Sequence, residues 1–201
     1  AANACCWLDA ETHKWVTTSF YPEGLPAAAD EMNMSGRIDL LAEREWTPRM
    51  DISMYNHPTD KERKRGFTYF NKEHLLHTPV ANTLVLEIAL ALQQSKQLGI
   101  DMQPDLLLLQ LTTLSPQSAS DAIESAEQED MYMGLNQDLG FLIEQLNRRI
   151  GKEQYQILHY QLSYREDNLG ACLFRDEIGD ELHNDRNGEK GNYAAEGGKG
   201  D

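Results

Sequence analysis

The chain has 201 residues, 40% of them hydrophobic, with 33 acidic residues against 18 basic ones and a formal net charge of −15. That length supplies one sizeable core, so one domain is expected rather than two. So acidic a chain lacks the positive footprint of a nucleic-acid binder, and its longest leucine run, at 106–109, is far short of the about eighteen apolar residues that a membrane span requires, so a soluble protein is expected.

The first residues, ACCWLD at 4–9, are apolar and end at the acidic turn ETHK, after which WVTTSFY at 15–21 is rich in β-branched and aromatic side chains. This pattern predicts a hairpin. Cys5, Cys6 and Cys172 are odd in number and lack metal-binding spacing. Vicinal Cys5 and Cys6 lie too close for an unstrained disulfide, and they read as packed strand residues. A charged segment followed by an apolar one is not present at the start, so no secretory leader is legible; a fragment starting inside a longer protein would look the same.

Pro22, Gly24 and Pro26 break the chain before AAADEMN at 27–33, which suits two helical turns. From about 35 to 77 the sequence is charged, aromatic and irregular, and its basic cluster KERKR at 61–65 reads as a solvated excursion rather than an anion site. At Thr78 the pattern changes: Thr78 can cap and Pro79 suits the first helical position, so a buried helix is predicted, ending at Gly99. The next apolar run, Leu106 to Leu111, is unbroken rather than alternating, the mark of a parallel strand covered on both faces. A second long helix is predicted from about Asp121 or Glu124 to Ile150, with Gly151 closing it. A strand at 155–162 follows. Helix, strand, helix, strand spells an α/β fold, a mostly parallel sheet with helices on both faces. The expected domain covers 1–182, and the Gly- and Asn-rich stretch 183–201 reads as a flexible polar tail.

Loops at the carboxyl ends of parallel strands are where an α/β protein places its site. The first such loop offers hydroxyls, Thr112, Thr113, Ser115 and Ser118 among them, and the second offers Ser163 with Arg165 and Glu166. Hydroxyls with one or two acids suit neither zinc nor a hard divalent cation, so no metal is expected there. His74 and His77 have helical spacing but no supporting ligand set. Glu124, Glu127, Glu129 and Asp130 read as a solvated helix face. A G-x-S-x-G elbow is absent, and neither Cys5 nor Cys172 has an adjacent histidine and acid, so no catalytic residue is assigned.

From Trp7 to Tyr155 the chain resembles the alkaline phosphatase superfamily, in the branch of PafA-type phosphatases and type I phosphodiesterase/nucleotide pyrophosphatases. The matching pieces are ANACCWLD at 2–9, KWVTTSFY at 14–21, LPAAADEMN at 25–33, TPVANTLV at 78–85, PDLLLLQL at 104–111 and the run from Ser125 to Leu158. The resemblance implies an alkaline-phosphatase-like fold, an exported or periplasmic location and zinc as cofactor. It also implies a Thr-Asp-Tyr-x-Gly-His loop after the first strand and a Thr-Ala-Asp-His-Gly loop after the second. Registered without a gap on Glu129 to Tyr132, the four ligand positions fall on Ser115, Ala119, Leu162 and Ser163. None carries the family's carboxylate or imidazole, and the family's nucleophilic Thr and first metal-binding Asp come from a region before Trp7.

Three functional expectations follow. The favoured one is a degenerate, non-catalytic phosphatase-like domain acting in binding, scaffolding or regulation, with no cofactor and a protein or small-molecule partner that the sequence leaves unknown. The second is a metal-dependent hydrolase of phosphate mono- or diesters whose site is completed by a part of the protein outside this chain. The third is a hydroxyl-rich loop at 112–120 that binds an anion without reacting.

Overall fold

The computed structural model describes residues 3–116 and 124–159. The expected hairpin forms with short strands: β1 (Trp7–Asp9) pairs antiparallel with β2 (Lys14–Val16), Leu8 opposite Trp15. Its turn is fixed by the Asp9 carboxylate, which accepts from the Thr12 amide at 3.1 Å and from the Thr12 hydroxyl at 2.5 Å. Helix α1 (Ala27–Met34) follows Pro26 as the breaker spacing predicts. From its last turn Asn33 accepts from the Trp15 amide at 2.7 Å and donates to the Trp15 carbonyl at 2.9 Å, so a helix side chain completes the outer edge of β2.

Residues 35–77 are more ordered than their composition suggests. They form α2 (Arg37–Ala42), a short antiparallel pairing of β3 (Glu45–Trp46) with β4 (Tyr69–Phe70), and α3 (Asp60–Arg65) between those strands. The cluster KERKR lies on α3, which starts at a capping box: the Thr59 hydroxyl accepts from the Glu62 amide while the Glu62 carboxylate accepts from the Thr59 amide. Lys61, Arg63, Lys64 and Arg65 are exposed as expected, but Glu62 is 1% exposed. The capping box and buried carboxylate, not composition, make the segment fold.

Helix α4 (Pro79–Ser95) and helix α5 (Ala126–Arg149) match the two long helices read from periodicity. Pro79 opens α4, but Thr78 does not cap it; the Thr78 hydroxyl donates back to the Leu75 carbonyl at 3.5 Å. The α4 exit is tightened by a Leu98 amide bond to the Gln93 carbonyl and by Gly99 at φ 75°, where a side chain would press on Ile150. Ser125 caps α5 through the Gln128 amide, and Gly151, at φ 107°, returns its amide to the Leu146 carbonyl.

Among the described residues, helix α4 contributes to two of three apolar cores. Leu84 and Ile88 join Leu8, Trp15, Ala29, Ile38 and Leu41 beneath the hairpin, α1 and α2. Leu86 and Leu90 meet Leu142 of α5 on another side. The third core is aromatic: Trp46, Tyr55 and Phe67 pack on Ala126 and Met131 at the start of α5. Residues 45–70 are thus a lobe seated on the first turns of α5.

The parallel sheet is the expectation that differs. Among the described residues the sheets are the two antiparallel pairs above, and neither 106–111 nor 155–159 pairs with another strand. The run 106–111 alternates in burial: Leu109 and Leu111 pack against Leu86, Leu90 and Leu142, whereas Leu106 and Leu108 are 71% and 80% exposed. One face is covered and the other is open. Residues 160–162 of the second strand, and the segment 160–201 with its tail, lie outside the described residues. Residues 3–157 belong to one unit, and Leu158 and His159 to another that is otherwise outside them. Among the described residues no helix is long and apolar enough to cross a membrane.

Candidate functional site

The hydroxyl-rich loop is held from both long helices. Asn82, buried on α4, accepts from the Thr112 amide at 2.8 Å and donates to the Thr112 carbonyl at 2.7 Å. The Gln128 amide group on α5 donates to the Thr113 carbonyl. The Thr112 hydroxyl accepts from the Leu114 amide at 3.2 Å, and Ser115 is 0% exposed. Thr112, Thr113 and Ser115 are therefore brought together in a clamped loop that follows the run 106–111. Ser118, Ala119, Leu162 and Ser163 lie outside the described residues.

The donors of the described part of this loop, 112–116, are not those that hold zinc. Zinc is held by thiolate, imidazole and carboxylate, and the described loop offers neutral hydroxyls, of which the Ser115 oxygen is enclosed. Among the described residues no three His, Cys, Asp or Glu side chains converge as a metal site would need. His74 of the spaced pair sets its ring edge against Tyr69, with centroids 5.3 Å apart. Cys6 has its thiol pushed up to about 11 by burial and by neighbouring Cys5, so it is a poor nucleophile at neutral pH. A groove at the start of α1, lined by Glu23, Leu25, Asp30 and Lys96, shares no residue with the loop.

The acids at the start of α5 correct the sequence reading. Glu127 and Asp130 are 0% exposed and serve as internal acceptors. Asp130 accepts from the Trp46 indole at 2.7 Å, the Tyr55 hydroxyl at 2.6 Å, the Arg49 amide at 3.0 Å and the Arg49 guanidinium at 3.3 Å. Glu127 accepts from the Tyr69 hydroxyl at 2.8 Å. Burial and these carboxylates push the Tyr55 and Tyr69 hydroxyls well above the usual phenol range, which keeps both as donors. Glu129 accepts from the Asn56 and His57 amides at 3.0 and 2.6 Å. Burial opposes its charge, but those bonds prevail and hold its carboxyl below the usual range. Glu62 accepts from the Ala126 and Glu127 amides at 3.3 and 2.9 Å, occupying the α5 N-terminus with an internal anion. Only Glu124 of the four stays exposed. Sequence spacing could not show this, because the partners lie 58 to 84 residues away. The Thr59 to Glu62 spacing is legible as a capping box, but it marks the start of α3 and not the burial of these acids.

No family model matches the chain. The alkaline phosphatase PafA of Elizabethkingia meningoseptica is 25% identical over 169 residues, which is 75% of this chain and 31% of that protein. The crystal structure of wild-type PafA aligns with a TM-score of 0.62 and 26% identity over 76% of this chain. Over most of its length this chain is related to the alkaline phosphatase superfamily. The alkaline phosphatase PhoV of Synechococcus elongatus is 26% identical over 77% of this chain, and a protein of Myroides odoratus named a calcium-transporting ATPase is 28% identical over 78%. The chain spans about a third of the length of these relatives, 31% to 32%. The structural match supports an alkaline-phosphatase-like fold.

Proposed function

We propose that this chain is a non-catalytic, phosphatase-like structural element that acts through binding, scaffolding or regulation. The observation that carries the reading is Ser115: a fully buried hydroxyl stands where the resemblance puts a metal-binding carboxylate. A hydroxyl cannot supply the charge that holds zinc, and without zinc neither water nor a leaving oxygen is activated. The remaining ligand positions, Ala119, Leu162 and Ser163, belong to the same reading by their chemistry alone. Export, to the periplasm or otherwise, is part of it. The test soaks crystals with zinc and measures release of nitrophenol from nitrophenyl phosphate. The expected outcome is no anomalous peak beside 112–116 and no turnover above a blank; a peak there overturns the proposal.

A second reading is supported by the open face of 106–111. In that reading the segment is a strand of a mostly parallel sheet, the missing strands come from a part of the protein outside this chain, and that part also supplies the catalytic groups for phosphate ester hydrolysis. It predicts zinc-dependent turnover by the full-length protein, with this chain inert alone. Full-length protein that is also inert would end it.

A further inference from the structure

Five consecutive residues at the start of α5 are committed to partners, and the partners fall into two groups. Ala126 packs in the aromatic core, and Glu127, Glu129 and Asp130 accept hydrogen bonds from Tyr69, from Asn56 and His57, and from Trp46, Arg49 and Tyr55, all in the lobe 45–70. From the other side the lobe's Glu62 holds the Ala126 and Glu127 amides. Between them in sequence, Gln128 turns away to hold the Thr113 carbonyl of the hydroxyl loop. The Gln128 amide is in turn held by the Ser125 cap.

We propose that this single helical turn couples the two regions, so that release of the lobe from α5 loosens the loop 112–116 and release of the loop loosens the lobe. The physical reason is that one rigid turn cannot shift to lose the lobe's bonds while keeping the Gln128 side chain on Thr113. The bonds that Asp130 accepts from Trp46 and Tyr55, and that Glu62 accepts from the Ala126 and Glu127 amides, are charge-assisted and buried, so loss of one weakens the others. Coupling of this kind is reciprocal by thermodynamic necessity. A partner that grips the lobe would change the loop without touching it. The proposal is independent of whether the loop binds any ligand.

Hydrogen exchange read by mass spectrometry on the whole chain tests it. Asp130→Asn removes the charged acceptor, and backbone amides at 46–57 and also at 112–116 are expected to exchange about tenfold faster or more. Gln128→Leu removes only the loop contact and is expected to speed exchange at 46–57 as well as at 112–116. Faster exchange confined to the region that was altered, in either variant, overturns the coupling. Arg37→Gln, which breaks the α2 to α4 ion pair with Glu87, is the control. It is expected to leave both regions unchanged; acceleration there means general loosening and also overturns the proposal. Should Asp130→Asn unfold the chain, Glu129→Gln at the rim of the same turn replaces it, with the same two outcomes.

Discussion

At the scale of single residues, two carboxylates on α5 carry opposite consequences. Burial pushes the Asp138 carboxyl up, and the Thr83 hydroxyl at 2.8 Å only partly offsets it. A carboxyl that is harder to ionise folded than unfolded costs stability above its folded pKa, and that cost vanishes below its unfolded pKa. Asp138→Asn, which keeps an acceptor for Thr83, is therefore expected to raise the urea midpoint at about pH 7 and to bring no gain at about pH 3. Glu129 has the reverse sign. Its folded pKa is lowered, so its contribution is present above the ordinary glutamate range and is lost as pH falls through the folded value. Glu129→Gln should lower the midpoint more at about pH 7 than at about pH 3. If both variants shifted equally at the two pH values, neither carboxylate would have the electrostatic role assigned to it.

At the scale of elements, two glycines in α5 separate helix propensity from packing. Gly140 has open space around it, so Gly140→Ala is expected to stabilise the chain by up to about 1 kcal/mol in urea unfolding. Gly134 has the Arg49 guanidinium 2.6 Å and the Pro79 side chain 3.1 Å from where a Cβ would stand. The arginine end can move, but doing so disturbs its bonds to Asp130 and Gln137, and Pro79 is fixed at the head of α4. Gly134→Ala should cost about 1 kcal/mol or more net, despite the better helix former; a gain equal to that at position 140 would contradict the packing of Arg49 across α5. The contrast also marks what the sequence could tell. Chain breakers marked α1, and the start and stop signals of Pro79 and Gly151 with the apolar pattern marked the buried α4 and the long α5, because those signals are local. The burial of Glu62, Glu127 and Asp130 was not legible, because it depends on aromatic and arginine donors far along the chain. The clamps on extended backbone by Asn33 and Asn82 were equally hidden: a helical asparagine looks like a surface residue until a strand edge lies beside it.

At the scale of the whole molecule, the open face of 106–111 is the point at which sequence and structure disagree most usefully. An unbroken apolar run anticipates cover on both faces, yet Leu106 and Leu108 stand exposed while Leu109 and Leu111 are packed. The run is consistent with a chain that spans about a third of the length of its relatives, and the energetics of two leucines can separate an open face from a completed sheet. In this chain, Leu106→Ala and Leu108→Ala remove side chains that touch little, so each is expected to change unfolding free energy by about 0.5 kcal/mol or less. The pair should also reduce binding of a hydrophobic dye, since it removes exposed apolar surface. In a longer form whose added strands cover that face, the same substitutions would each cost about 2 to 5 kcal/mol, the range for truncating a buried leucine. Leu109→Ala, which opens a gap against Leu86 and Leu142, should be destabilising in both forms. Equal, large losses at positions 106 and 108 in this chain alone would mean that the outer face is already covered, and a small loss at 109 would mean that the inner one is not.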